Sequence, residues 1–327
     1  VFGAKDMAYA VIRRVDTEMA HAYRAYNDQS MKQAASHSKG ESPNAKSRKT
    51  PAMEGDARKG RGLDEIVEQS LSYDEKNEIG SIAWLIEKER QYGGFHSGIV
   101  RNETSTLDPR KPHQYSAGFV KKGEEYLPTH IGGDRMSMNH HGYSIAYSSY
   151  IPPLIKRNEN KRITLVEIGI LTGIGLAIWC DLLPEARVIG LDIDPNIFEA
   201  NRQSLQRLGA FEYNEPEIYR FDQFVDNKQL IDEIMSGEEI DIVIDDGAHT
   251  YDAIITTLKS LKPNLSDKFV YFIEDFKGVE QPIRKMFSGI EVAYADQMTV
   301  VFSKSLGLSN RLMSKKEFLE KLRKPTD

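Results

Sequence analysis

Two acid pairs close apolar runs in the C-terminal half of the chain. Asp241-Ile242-Val243-Ile244 leads into Asp245-Asp246-Gly247-Ala248-His249, and Phe269-Val270-Tyr271-Phe272-Ile273 leads into Glu274-Asp275-Phe276. If the two runs are strands of one open α/β sheet, their acids converge beyond the carboxyl ends of the strands, where such sheets bind ligands. Like charges gathered in this way repel one another unless a cation lies among them. A hard divalent ion such as Mg2+ meets that need, because it takes carboxylate oxygens and keeps positions open for water or a substrate hydroxyl. Asp246, Glu274 and Asp275 are the expected ligands. An ion held there orients a hydroxyl or vicinal diol and steadies the alkoxide that develops from it. His249 is expected to take the proton, since an imidazole is the side chain suited to act as a base near neutral pH. Asp245 points to the opposite face of its strand and is expected to touch a cofactor or a backbone amide. Thr250 and Asp252 read as residues of a helix start.

A second constellation lies upstream. Val166-Glu167-Ile168-Gly169-Ile170-Leu171-Thr172-Gly173-Ile174-Gly175 passes from strand to helix through glycines, which lets the backbone approach a ligand at the helix N-terminus. The next apolar run, Val188-Ile189-Gly190-Leu191-Asp192, ends about twenty residues later in an acid suited to ribose hydroxyls. Asp194 lies on the same face and competes for that role, although Asp194-Pro195 reads equally as the cap of the following helix. Spacing favours Asp192. Glu167 reads as a ligand-side acid or as a surface carboxylate. The order is acid-x-Gly-x-x-x-Gly, which differs from the G-x-G-x-x-G of dinucleotide binders.

On these residues the chain resembles the class I S-adenosylmethionine-dependent methyltransferases. The resemblance implies that Glu167 supports the methionine end of the cofactor, that the loop of Gly169, Thr172 and Gly173 packs under it, that Asp192 holds its ribose and that Asp222 stands on its adenine side. The Asp-Asp-Gly-Ala-His and Ile-Glu-Asp-Phe motifs, with the segment 134–150 upstream, are similar to the metal-dependent sugar O-methyltransferases of macrolide biosynthesis, over roughly residues 132–303. This second resemblance implies Mg2+-dependent methylation of a hydroxyl on a sugar or glycosylated natural product. Asp246, Glu274 and Asp275 are then the ligands and His249 the base. Tyr143 and His141 read as covering the cofactor or the acceptor, or equally as core-packing or loop hydrogen-bonding residues. One departure stands out: that family commonly carries an Asp-Lys pair where this chain has Asp134-Arg135 ahead of His141-Gly142-Tyr143. Two rivals are a metal-independent methyltransferase for another small acceptor, and a non-catalytic assembly protein that keeps the fold.

The elements that must position these residues are legible as alternation. Past Pro152-Pro153, β-rich runs alternate with helical ones, which predicts βαβ units and a Rossmann-like, mostly parallel class I sheet. Strands are expected at 163–170, 187–193, 217–221, 241–244 and 268–273, with an antiparallel edge pair at 291–294 and 299–303. Upstream, a mainly helical region is expected. Residues 5–26 read as a polar helix, and 63–92 as another, with Ile79, Ile82, Leu85 and Ile86 on one face and Gly93-Gly94 ending it. A Ser-, Gly-, Lys- and Arg-rich linker falls near 37–62, and 93–150 reads as irregular loops of the kind that cover sites. The expected division is an auxiliary region over 1–131, a cover segment over 132–161 and a catalytic domain over 162–327.

Composition narrows the partners. With 40% hydrophobic residues in 327, the chain can bury an ordinary core. Its 43 basic and 49 acidic residues give a formal charge of -6, which supplies no overall attraction to nucleic acid or anionic membrane. A small hydroxyl-bearing acceptor is expected, with neither nucleic acid nor membrane as partner. The longest apolar stretch, 168–180, is broken by Thr172 and glycines and falls short of the roughly 20 residues a spanning helix needs. The start shows no secretory pattern. The sole cysteine, Cys180, reads as a buried thiol, which fits a cytoplasmic setting. The N-terminal helix needs a surface to dock on, so a homo-oligomer is expected.

Overall fold

The computed structural model describes residues 62–93, 119–122, 125–128, 134–158 and 161–323. The helix expected over 5–26 and the linker over 37–61 lie outside the described residues, as does most of 94–133. The described residues all belong to one compact unit.

Where one helix was expected over 63–92 there are three: α1 (Leu63–Ser70), α2 (Tyr73–Asn77) and α3 (Ile82–Gly93). Ser72 starts α2 with a reciprocal capping box to Glu75, which ends the preceding helix. Gly80, at φ +81°, turns the chain before α3. Ile79 falls in that break and is 61% exposed, whereas Leu85 and Ile86 are buried as expected. Strands β1 (Phe119–Lys122) and β2 (Glu125–Pro128) pair as an antiparallel hairpin.

A second difference is α4 (Ser144–Arg157), which runs through sequence read as irregular and carries Pro152 and Pro153 inside it. Each interior proline removes a backbone hydrogen bond at a cost of about 3 kcal/mol. Burial of Tyr147, Tyr150, Ile151 and Leu154 offsets this, with the rings of Tyr147 and Tyr150 lying 4.8 and 6.3 Å from that of Phe272.

All seven strands expected downstream are present: β3 (Thr164–Ile168), β4 (Arg187–Asp192), β5 (Glu217–Arg220), β6 (Ile240–Asp245), β7 (Leu265–Ile273), β8 (Ile290–Ala295) and β9 (Met298–Ser303). They form one sheet in the order β5-β4-β3-β6-β7-β9-β8. The first five are parallel, and β9 lies antiparallel between β7 and β8. Helices α5 (Ile174–Leu182), α6 (Asn196–Arg207), α7 (Lys228–Met235) and α8 (Tyr251–Leu261) make the crossovers; α9 (Glu280–Met286) precedes β8, and α10 (Lys315–Leu322) follows β9. The strands read as continuous apolar runs because both faces are covered. Leu165, Val188, Ile242, Val270 and Phe272 join α3, α4 and α5 in one core, while Val166, Ile189, Val243, Tyr271 and Ile273 join Ile231, Ile254 and Leu258 in the other. Winding reverses between β3 and β6, which opens a crevice at their carboxyl ends.

Candidate functional site

The first wall of that crevice is the turn from β3 into α5. Gly169 (φ +81°), Leu171 (φ +44°) and Gly173 (φ +84°) carry it through left-handed backbone. A Cβ on Gly173 would meet the Phe198 ring at 2.2 Å, so packing as well as conformation requires glycine there. Asp192, at the end of β4, braces the loop: Oδ2 accepts from the amides of Ile170 at 2.9 Å and Leu171 at 3.1 Å, and Oδ1 from the Asp194 amide at 2.9 Å. Asp194 Oδ1 accepts from the Asn196 amide at 3.3 Å and from its side chain at 2.8 Å, at the start of α6. Thr172 is buried, and its carbonyl accepts from Asn201 Nδ2 at 2.8 Å. Asp222, two residues past β5, accepts from the Phe224 amide at 2.9 Å. Ile193, 42% exposed, puts an apolar surface directly after Asp192 that the sequence reading missed.

The second wall is built by the residues after β6 and β7. Amide to carbonyl pairing continues past the strands, from Asp246 to Ile168 at 2.9 Å and from Glu274 to Asp245 at 3.0 Å, so the acid pairs are held in sheet register. Among the described residues, Asp246, His249 and Asp275 bring one ligand atom each to within 4.8 Å of one another. His249 Nδ1 lies 3.3 Å from the carbonyl oxygen of Glu274. A carbonyl only accepts, so Nδ1 carries the hydrogen and the lone pair sits on Nε2, 3.7 Å from Asp246 Oδ1. His249 (φ +48°) and Asp275 (φ +54°) both occupy left-handed backbone. Such strain, about 1–3 kcal/mol per residue, gathers where geometry serves function.

Tyr143 donates to Asp275 Oδ1, and His141 Nδ1 stands 3.4 Å from the same oxygen, with the two rings stacked at 5.0 Å. Tyr143 thus bonds to the second acid after β7; burial and its hydrogen bond to Asp275 push its phenol well up. Asp245 lies in the core, accepting from Gln223 Nε2 at 2.8 Å and Tyr271 OH at 3.0 Å, and burial raises its carboxyl to about 6. Gln223 Oε1 accepts from the Ala248 amide at 2.7 Å. Asp245 therefore fixes the 246–249 turn through Gln223.

Glu274 lies outside the group of three. Arg135 Nε donates to both of its oxygens at 3.1 Å, Nη2 donates to Oε1 at 2.5 Å, and Tyr147 OH donates to it as well. Arg135 Nη1 meets Glu167 Oε1 at 2.6 Å, and its Nε stands 3.5 Å from Asp246 Oδ2. Burial alone would favour an uncharged guanidinium, but Glu274, Asp246 and Glu167 hold the charge firmly on it. For Glu167, burial outweighs Arg135 and lifts the carboxyl; for Asp246, desolvation and Glu274 together do the same. Glu167 is 0% exposed, which removes its reading as a surface carboxylate. A Cβ on Gly175 would lie 2.1 Å from Glu167 Oε1 and 2.4 Å from Arg135 Nη1, so this ion pair rests directly on the backbone of α5. Sequence reading registered Arg135 as a departure and left it out of the site. The requirement that clustered acids have a cation was the available signal, but Arg135 is 32 residues from Glu167 and 139 from Glu274.

Arg135 sits in a turn held by two buried carboxyls from upstream. Glu89 of α3 accepts from the amides of Arg135 (2.9 Å), Met136 (2.9 Å) and Ser137 (3.1 Å). Asp64 of α1 accepts from Ser137 Oγ, the Met138 amide and Asn139 Nδ2 at 2.7, 2.7 and 3.0 Å. Burial, aided by Asp134 and opposed by the amides and Arg135, raises the Glu89 carboxyl from 4.5 to about 8. The folded state thus keeps a proton that the unfolded chain releases above about pH 4.5, so this contribution to stability is full in acid and is lost as pH rises through 8. Glu89→Gln, which cannot ionise, is expected to flatten the decline in melting temperature between pH 5 and 8.5. Parallel curves for variant and wild type in thermal melts would contradict the assignment.

The parallel strands, the winding reversal at β3 and β6 and the antiparallel β9 make this the class I methyltransferase fold. The chain resembles S-adenosylmethionine-dependent methyltransferases of that class, MycE among them. It is similar to the MycE methyltransferase from the mycinamycin biosynthetic pathway, solved with Mg, SAH and mycinamycin VI, at 18% identity and a TM-score of 0.37 over 50% of each chain. It is also similar to the O-methyltransferase TomG from Streptomyces achromogenes, solved with SAM, at 13% identity and a TM-score of 0.35 over 46% of this chain and 78% of that one. A third is the rRNA methyltransferase aviRa from Streptomyces viridochromogenes, at 15% identity and a TM-score of 0.37 over 49% and 83%. The likeness spans half the length of MycE. No protein-family model and no curated protein matches the chain. Among the described residues no helix is long and apolar enough to cross a membrane.

Proposed function

We propose that the protein is a divalent-metal-dependent O-methyltransferase that moves a methyl group from S-adenosylmethionine to a hydroxyl of a sugar or glycosylated small molecule. One observation carries this reading. A Cβ on Gly169 would lie 2.2 Å from the Asp246 carbonyl oxygen, so the glycine loop and the Asp246-His249-Asp275 group share a wall of one crevice. A cofactor cradled by the first lies beside any acceptor held by the second.

The residues present fit both groups. The glycine loop is closed to side chains and braced by the Asp192 carboxylate, the chemistry that suits a ribose-bearing cofactor. Asp246 and Asp275 offer hard oxygen donors suited to Mg2+. S-adenosylmethionine, when bound, supplies an electrophilic methyl on a sulfonium, and the ion supplies Lewis acidity to a hydroxyl. His249 Nε2, with its lone pair fixed by the Nδ1 contact to Glu274, takes the hydroxyl proton, and Asp246 Oδ1 at 3.7 Å steadies the imidazolium that results. Tyr143 and His141 fix the direction of the Asp275 carboxylate. Glu274, taken up by Arg135 and Tyr147, holds the floor of the site, so Asp246 and Asp275 are the ligands this reading favours.

The test has two parts. Calorimetry with S-adenosylhomocysteine is expected to show binding that Asp192→Ala weakens by tenfold or more and Asp246→Asn leaves within about threefold. Radiolabelled methyl transfer onto a panel of glycosides and onto RNA is expected to label glycosides, to stop on chelation and to recover with Mg2+. Labelling of RNA alone, or wild-type turnover by Asp246→Asn, would sink the proposal.

A further inference from the structure

Three amides that converge on one buried carboxyl are unusual in a turn of three residues. Glu89 is 0% exposed, and its two oxygens take the backbone N–H groups of Arg135, Met136 and Ser137 in succession. Asp64, 4% exposed, continues the row through Ser137 Oγ, the Met138 amide and Asn139 Nδ2. Asn139 Oδ1 closes the circuit by accepting from the Leu63 amide at 2.9 Å, at the start of α1. On its far side the turn is tied by the Tyr143 amide to the Arg135 carbonyl at 2.8 Å and by Ser144 Oγ to the Met136 carbonyl at 2.8 Å. The backbone on both sides of Arg135 is thereby fixed, and with it the base of a guanidinium that must reach Glu167, Glu274 and Asp246 together.

We propose that Glu89, seconded by Asp64, is a positioning residue that sets Arg135 as the resident counter-cation of the strand-end acids, which makes helices α1 and α3 part of the functional site. The inference rests on the reading of this crevice as a methyl-transfer site. Its logic is that of preorganisation. A planar fork satisfies two carboxylates only in one orientation, and that orientation is inherited from the amide of residue 135. Gln at position 89 turns an N–H2 toward the Arg135 N–H and removes an acceptor at that point, while shape and volume stay the same.

A cycle of variants separates positioning from mere folding support, because groups that act through one another fail to add. In the full chain, Glu89→Gln is expected to weaken S-adenosylhomocysteine at least fivefold by calorimetry. In an Arg135→Gln/Glu274→Gln background, which removes one buried charge of each sign, the same change is expected to alter affinity less than twofold. Equal losses in both backgrounds would overturn the proposal. A second readout needs no ligand. In 15N-arginine-labelled protein, the slowly exchanging Nε–H signal that disappears in Arg135→Lys is expected to shift and lose protection in Glu89→Gln and, more weakly, in Asp64→Asn. An unmoved signal would overturn the proposal as well. Absence of S-adenosylhomocysteine binding by the wild type, with the Nε–H signal responding as expected, would instead count against the methyl-transfer reading alone.

Discussion

Arg135→Met is expected to cost about 3–5 kcal/mol of folding stability, the scale on which a buried charge left without its partner destabilises a domain. Glu274 and Glu167 are each 0% exposed, and both depend on this guanidinium. Methionine keeps an unbranched apolar stem and removes the cation that sits 5.8 Å from the Trp179 ring, so the loss falls mainly on charge. For a unit of this size the change corresponds to roughly 6–20 °C in melting temperature. Adding Glu274→Gln removes one of the stranded anions and is expected to return a substantial part of the loss. A melting temperature for Arg135→Met within 2 °C of wild type would show that the acids carry protons or another cation in its place.

The second large effect is expected at Gly169. Alanine there combines left-handed backbone at φ +81° with a Cβ 2.2 Å from the Asp246 carbonyl oxygen and 2.8 Å from the Gly247 Cα. These are backbone atoms held by sheet pairing and cannot rotate away. The loop or the acid pair must move, and S-adenosylhomocysteine affinity is expected to fall by a hundredfold or more. Gly237→Ala is the control. Its φ of +88° imposes the same conformational strain with nothing within 4 Å, so it is expected to cost about 1 kcal/mol and leave affinity unchanged. Matching affinities for Gly169→Ala and wild type would remove the loop from the binding site.

What the sequence made legible follows from locality. Strands β3, β4, β6 and β7 are covered on both faces, so each is an apolar run whose end is marked by an acid, and their positions could be read residue by residue. The direction of parallel strands alone led to the expectation that the acids after β6 and β7 converge; Asp246 and Asp275 come together, with His249 rather than Glu274 as the third member of the group. Helix α4 was hidden because Pro152 and Pro153 argue against a helix locally, and only the burial of Tyr147 and Tyr150 overrides them. Helices α1 to α3 blurred into one because the break at Gly80 lies inside a continuous amphipathic pattern. The partners of Glu274 were beyond reach for a different reason. Arg135 and Tyr147 come from a segment more than a hundred residues upstream, and no spacing rule links a turn to the sheet it lands on. The same separation hid the hydrogen bond from Tyr143 to Asp275.

The order of the sheet also divides the labour of change. Strands β3 and β6, which deliver the glycine loop and the first acid pair, are each hydrogen-bonded to a neighbour on both sides. The turn over 134–143 joins no strand and is tied on by side chains from α1 and α3. Substitutions in that turn that spare Arg135, His141 and Tyr143 can therefore reshape the rim beside Asp275 while the interior strands keep the glycine loop and the Asp246 turn in register. Under the proposed methyl transfer, new acceptors would be won at this rim and the loop that faces the donor inherited unchanged.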